Sequence, residues 1–290
     1  MQPIAVEVLR GDVVEAVHCV HAVAVRGGAV VASAGDPEHV THMRSSAKPV
    51  QALPLVRARG DLRDGEIAIA CASHLARPEQ LALARSLLAK AEATEDDLEC
   101  GPEPTRIEHN CSGKHAGMLA LCRAQGWETT GYRLSEHPCQ RAMLNEVAQA
   151  ADVPPDSLRT AIDGCGVVTF ALPLERMAHA FARFRELEGG ERAAAVMEAN
   201  PGIIRGPGAA DTMLMETLPS WIAKGGAEGL LCAASADGLG IALKVEDGAS
   251  RAVRPALAAF LADLGLETPG LGDVALTNSR GEDVGRLRVR

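Results

Sequence analysis

Ser45-Ser46-Ala47-Lys48 sets a hydroxyl and an amine three residues apart. On a helix these positions share a face, so the two groups can meet above one turn. An amine crowded by apolar neighbours loses proton affinity and can then accept the hydroxyl proton. That pairing makes an acyl-transferring serine that needs no histidine. The same four residues could also be no more than a helix cap and a surface charge, because a Ser-x-x-Lys match alone is common. A second reactive cluster is Glu108 to Leu119, where Cys111, Lys114 and His115 stand at i, i+3 and i+4 of an otherwise apolar helix. A helix start favours anions and lowers thiol pKa, so Cys111 could be a thiolate and the free N–H groups could hold a carboxylate.

Asp163-Gly164-Cys165-Gly166 reads as a tight turn from which Asp163 and Cys165 project. Cys111 and Cys165 together offer two soft donors, and two thiolates with nitrogen or oxygen donors suit zinc. No Cys-x-x-Cys pair occurs, so any metal site has to be assembled from distant segments. Ser73, in Cys71-Ala72-Ser73-His74, follows the apolar run Ile67 to Ala70 and is delivered to a loop. Lys244 interrupts the hydrophobic run Ile241 to Val245. It is either a strand lysine that keeps an edge soluble or the second lysine that serine–lysine acyltransferases place on a strand beside the nucleophile. The remaining histidines, at 18, 21, 39, 42, 137 and 179, show no metal spacing.

The elements that must carry these groups follow from periodicity. Residues 4–34 alternate β-branched residues, with turns at Gly11-Asp12 and Gly27-Gly28, and predict an antiparallel meander. Helices are predicted over 46–58 (Pro49 in its first turn and Pro54 kinking or ending it), 79–93, 112–125, 173–187, 193–199, 211–222 and 252–265. A Gly/Pro-rich loop fills 200–208. Strands are predicted at 229–235, 238–246, 273–278 and 284–290. The fold class expected is α+β: a single domain over 1–290, an antiparallel sheet formed by N- and C-terminal strands, and a helical part inserted roughly within 45–225.

Composition narrows the function classes. Of 290 residues 47% are hydrophobic, enough for a sizeable core, and only 2% are aromatic, which argues against a stacking surface for single-stranded nucleic acid. The net charge of −9 disfavours nucleic acid and anionic membrane as partners. No secretory leader or membrane-spanning run is read in the chain, so a cytoplasmic protein is expected, with its eight cysteines free or metal-bound rather than paired.

Taken together, several segments resemble the L-asparaginase II family, the serine-dependent bacterial asparaginases, whose fold is akin to serine β-lactamases and glutaminases. The matching stretches are Arg44 to Pro49, Cys71 to His74, His109 to Leu119, Asp163 to Phe170, and Lys224-Gly225-Gly226-Ala227-Glu228-Gly229 through Lys244. The resemblance implies hydrolysis of the L-asparagine side-chain amide to aspartate and ammonia. It casts Ser45 as nucleophile with Lys48 as base, and Ser73 with Lys244 as a second pair that moves protons to the leaving ammonia. It implies Cys111, Lys114 and Cys165 as ligands of one zinc ion, and His115, Asp163, Arg44 and Gly164 as substrate-binding residues or their support. A homodimer is the expected assembly. A glutaminase, a β-lactam or peptide acyltransferase of the same fold, and a non-catalytic zinc or thiol sensor remain alternatives.

Overall fold

Val, Ile and Ala alternate through the first thirty residues, and the chain obeys them. In the computed structural model, which describes residues 2–290, β1 (Ile4–Arg10), β2 (Val13–Arg26) and β3 (Ala29–Ala34) form the expected meander. After β4 (Val40–His42) a 3-10 turn, Arg44–Ala47, runs directly into α1 (Lys48–Ala58). Then come α2 (Asp64–Cys71), α3 (Pro78–Lys90), α4 (Ser112–Gln125), α5 (Pro138–Ala151), β5 (Arg159–Ile162), β6 (Val168–Pro173), α6 (Leu174–Ala182) and α7 (Gly190–Ala199). The chain continues through α8 (Pro201–Ile204), α9 (Ala210–Thr217), β7 (Trp221–Gly226), β8 (Leu230–Ser235), β9 (Gly240–Val245), α10 (Val253–Asp263), β10 (Ala275–Thr277) and β11 (Asp283–Val289).

The main sheet is antiparallel in the order β10-β11-β1-β2-β9-β8-β7, with β3 added to β2. Strands from both chain ends therefore share one sheet, and the α+β class holds. Helix α6 lies on one face of it: a Cβ on Gly240 would stand 2.0 Å from the Ala178 carbonyl oxygen, so only glycine lets that helix approach. Helices α1 to α9 fall between β4 and β7, together with a small antiparallel sheet, β4-β6-β5. With few rings available, the core is built of aliphatic residues such as Val20, Val50, Leu53, Ile67, Leu119, Leu231 and Leu243, all essentially sealed from solvent.

Helix α1 reaches Ala58, the expected end, with Pro54 inside it. The proline removes one N–H donor, but burial of Val50, Leu53, Leu55 and Val56 holds the turn. The helix expected over 173–187 begins at Leu174, because Pro173 closes β6. The helix expected over 211–222 stops at Thr217, and Trp221 opens a strand, β7, at the edge of the main sheet.

Candidate active site

The Ser45 turn is held at an unusual backbone angle. Arg44 has φ 49°, left-handed for a residue with a side chain, a conformation that costs on the order of 1–3 kcal/mol and persists only where its surroundings enforce it. Here they do. The Arg44 N–H donates to Thr169 Oγ1 at 3.1 Å and its Nε to Asp163 Oδ1 at 2.6 Å. Met43 N–H donates to the Phe170 carbonyl at 2.8 Å. The small sheet thus clamps the residues just before Ser45. Ser45 is half-buried, whereas Ser46 beside it is sealed, with a hydroxyl that has no partner. A Cβ on Gly226 would stand 2.9 Å from Ser46 Oγ and 3.0 Å from the Met43 carbonyl oxygen. Glycine at 226 is what lets edge strand β7 lie against the turn.

Lys48, in the first turn of α1, is only 1% exposed. Its Nζ donates to the Ala72 carbonyl at 2.7 Å and to Ser73 Oγ at 2.9 Å. The amine is therefore joined to Ser73 and not, by a hydrogen bond, to Ser45. The segment that carries Ser73 is pinned on both sides. Ser73 N–H donates to the Ile204 carbonyl and His74 N–H to the Asn110 carbonyl. Buried Gln80 ties 75–77 to the 202–205 loop: its Nε2 donates to the Gly202, Ile203 and Arg205 carbonyls, while its Oε1 accepts from Leu75 and Arg77. Next to Ser73, the His74 ring is held in one tautomer. Ser112 Oγ donates to the Ile107 carbonyl, so it accepts from His74 Nε2–H, and His74 Nδ1 accepts from Ala76 N–H. Burial, and then the charge of Lys48, push this histidine down to about 4, so it stays neutral.

Cys111 caps α4 and packs against Cys165, with which it shares a hydrogen bond. That bond is the largest cause holding the Cys111 thiol well below its ordinary range, with burial opposing and Lys48, His109 and Lys114 assisting. The same bond, followed by burial, raises Cys165. Lys114, one turn along α4, is buried, and burial lowers its amine despite the attraction of Cys165 and Cys111. The α4 start reaches this place because residue 113 is glycine: a Cβ there would stand 2.3 Å from the Ile69 carbonyl oxygen at the end of α2. Asp163 lies beside the thiols. Its Oδ1 accepts from both Arg44 Nε and Gly164 N–H, at 2.6 and 2.7 Å, which leaves Oδ2 free of protein partners.

Comparison with known proteins gives these residues a context. The model of the family described as L-asparaginase II matches residues 6–289. The chain belongs to the L-asparaginase II family. It is thereby an amidohydrolase of the asparaginase type. Among solved structures it is similar to a candidate β-lactamase from Bacteroides dorei DSM 17855, at 13% identity and a TM-score of 0.46, covering 84% of this chain and 93% of that one. It is also similar to an octameric penicillin-binding protein homologue from Pyrococcus abyssi, at 11% identity and a TM-score of 0.35, covering 87% and 74%. No curated protein sequence matches it.

In this L-asparaginase II protein, two of the expected residues lie away from the Lys48–Ser73 bond. Lys244 lies on β9, the third strand from the edge, and its amine donates to the Val245 carbonyl. The charges around it are Glu228, Asp247 and Glu246, and it touches neither Ser73 nor Lys48. The lysine on the edge strand is Lys224, the first residue of the matching stretch that ends at Lys244 and one to which the resemblance gave no role. Lys224 is fully buried. Burial lowers its amine to about 7 against the pull of Asp211 at 3.6 Å, and the positive charges of Lys48 and Arg205 lower it further. His115 is the second. It sits one turn inside the core, its Nδ1 sharing a hydrogen bond with Tyr132 Oη at 2.7 Å, and that oxygen also accepts Glu99 N–H. Its Nε2 is sealed without a partner, and burial drives the ring down to about 3. His115 supports the α4 start from behind and offers no donor to a substrate.

The expected metal donors form a two-sulfur, one-nitrogen set. Among the described residues no group of three or more His, Cys, Asp or Glu side chains is gathered for a metal; the set here counts only two of those types. Its chemistry fits a soft divalent cation all the same: one thiol of lowered proton affinity, a second thiol beside it, and a buried amine of lowered proton affinity. No helix among the described residues is long and apolar enough to cross a membrane.

Proposed function

We propose that this protein hydrolyses the side-chain amide of L-asparagine to L-aspartate and ammonia through an ester on Ser45. The observation that carries the reading is the sealed hydrogen bond between Lys48 Nζ and Ser73 Oγ, directly behind the strained turn that presents Ser45. Ser45 Oγ attacks the amide carbon and gives up its proton to the Lys48 amine, which serves as base in its neutral form, with Ser73 Oγ as relay. The tetrahedral oxyanion is met by the Ser45 N–H, which as an early N–H of its turn has no helical acceptor. Strand β7 supplies the opposite side of the oxyanion site. Gly225 N–H points away from β8, donating to Asp211 Oδ2 at 2.9 Å, and Gly226 lies against the Met43–Ser46 turn. The proton returns through Ser73 to the departing ammonia. Water then attacks the ester by the reverse path. Lys224, with proton affinity near neutrality, takes the part expected of Lys244: a group that can give or take a proton at working pH.

Asp163 Oδ2 receives the substrate α-ammonium, and Arg44 Nε with Gly164 N–H holds that carboxylate in place through Oδ1. Cys111, Cys165 and Lys114 would hold a zinc ion. When bound, the metal supplies positive charge beside the cleft that helps orient polar groups of the substrate. The serine, lysines and backbone donors carry out every step of the acyl transfer themselves.

The test is ammonia release from L-asparagine and L-glutamine, and loss of the β-lactam absorbance of a penicillin, by wild type, Ser45→Ala and Ser46→Ala. Asparagine turnover is expected from wild type and Ser46→Ala, with at least a thousandfold loss in Ser45→Ala. Wild-type turnover by Ser45→Ala would overturn the nucleophile, and preference for glutamine or penicillin would overturn the substrate.

A further inference from the structure

Beyond the reacting groups, a cavity of about 320 Å³ opens between β7, β8, the loop before α9 and the start of α10. None of Ser45, Lys48, Ser73 or Asp163 lines it. Three arginines do: Arg205, Arg251 and Arg254. In a chain with 38 acidic against 29 basic residues, none of the three has a carboxylate partner among the described residues. Arg251 Nε donates to His18 Nε2. Arg254 donates to the Gly270, Leu271 and Asp273 carbonyls, which orients the guanidinium without cancelling its charge. The one acid in the wall, Asp211, is committed elsewhere. It accepts Gly225 N–H and Thr212 N–H and faces Lys224. The rest of the lining is largely aliphatic, including Leu231 and Val253.

We infer that this cavity binds a small aliphatic dicarboxylate, its carboxylates on Arg205 and Arg251 and its methylenes against the Leu231–Val253 wall. Guanidinium groups recognise carboxylates by paired N–H donors, the volume lies at the small end of ligand sites, and the apolar wall favours a carbon chain over a compact inorganic anion. The site is also wired to the catalytic strand. Asp211 and Gly225 belong to both, and Arg205 is one of the charges that depress the Lys224 amine. An anion on Arg205 would cancel that repulsion and let Lys224 hold its proton to higher pH. The occupant would therefore tune the enzyme from outside the reacting cleft.

Calorimetric titration of the Ser45→Ala protein with succinate tests the site without any turnover, so its outcome is separate from that of the amidase assignment. One equivalent is expected to bind. Affinity should fall at least tenfold in the added Arg205→Gln or Arg251→Gln background and stay within twofold in the added Arg44→Gln background, with melting temperatures confirming that each variant is folded. Loss of binding with Arg44→Gln but not with Arg205→Gln would put the ligand in the reacting cleft and overturn the inference. Absence of binding at millimolar succinate would overturn it as well, as would tighter binding of inorganic phosphate.

Discussion

Replacing Lys224 by methionine should make this protein more stable and less active. The amine falls from its ordinary 10.5 to about 7 on folding, chiefly by burial, with Asp211 already counted against the fall. At about 1.36 kcal/mol per pKa unit, a charged Lys224 costs the folded state up to about 5 kcal/mol below pH 7. The sign follows from proton counting. Between about pH 7 and 10.5 the unfolded chain carries a proton on this lysine that the folded chain has lost, so stability rises with pH across that window. Above 10.5 the amine is neutral in both states and the cost vanishes. Methionine is similar in length and uncharged, and Asp211 keeps its bonds to Gly225 and Thr212 N–H. Chemical denaturation of wild type and Lys224→Met from pH 6 to 10.5 should give a gain of roughly 2–5 kcal/mol at pH 6, shrinking steadily toward zero. Turnover of asparagine should drop at least a hundredfold in the same variant. Parallel stability profiles, or a variant less stable than wild type at pH 6, would refute the account of Lys224 as a buried cation that costs the folded state stability.

Other perturbations probe neighbouring parts. Gly113→Ala drives a methyl into the Ile69 carbonyl and should lower stability by about 1–3 kcal/mol, with the loss read as a lower denaturation midpoint. Asp163→Asn should cost about 10- to 100-fold in kcat/KM for asparagine. It should cost almost nothing for succinamate, which lacks the α-amino group; equal losses on both would remove Asp163 from ammonium recognition. Cys165→Ala should strip zinc from the purified protein, measured by elemental analysis, and should raise the Cys111 thiol pKa followed by thiolate absorbance. A wild-type protein free of zinc after zinc-supplemented expression would remove the metal and leave the serine chemistry intact.

Much of the reacting cluster was legible because its parts announce themselves in short runs. Ser45 and Lys48 share one motif, Cys111 and Lys114 another, and Asp163, Gly164 and Cys165 a third. Arg44 joining Asp163, and Lys48 turning toward Ser73 instead of Ser45, were not readable, since both depend on how distant segments meet. The missed strand shows a different limit. Asp211 to Ile222 reads as a helix by pattern, yet Pro219 stops it and Ser220 turns at φ 63°. The signal that could have found β7 is the hairpin: two six-residue segments, Trp221–Gly226 and Leu230–Ser235, joined by Ala227-Glu228-Gly229. Recognising that hairpin would have moved attention from Lys244 to Lys224. Helix α5 and the small sheet were also overlooked. Strand β5 is exposed throughout, and short exposed strands leave no periodicity to read.

The pairing of β1 with β11, and of β2 with β9, has a consequence for biosynthesis. A ribosome releases the first hairpin long before its permanent neighbours are translated. Apolar strand edges on the nascent chain then stand open for most of elongation, an invitation to misassociate. Such a protein should depend on holding chaperones while it is being made, and a circular permutant that joins the adjacent ends and opens the chain between β3 and β4 should relieve that dependence.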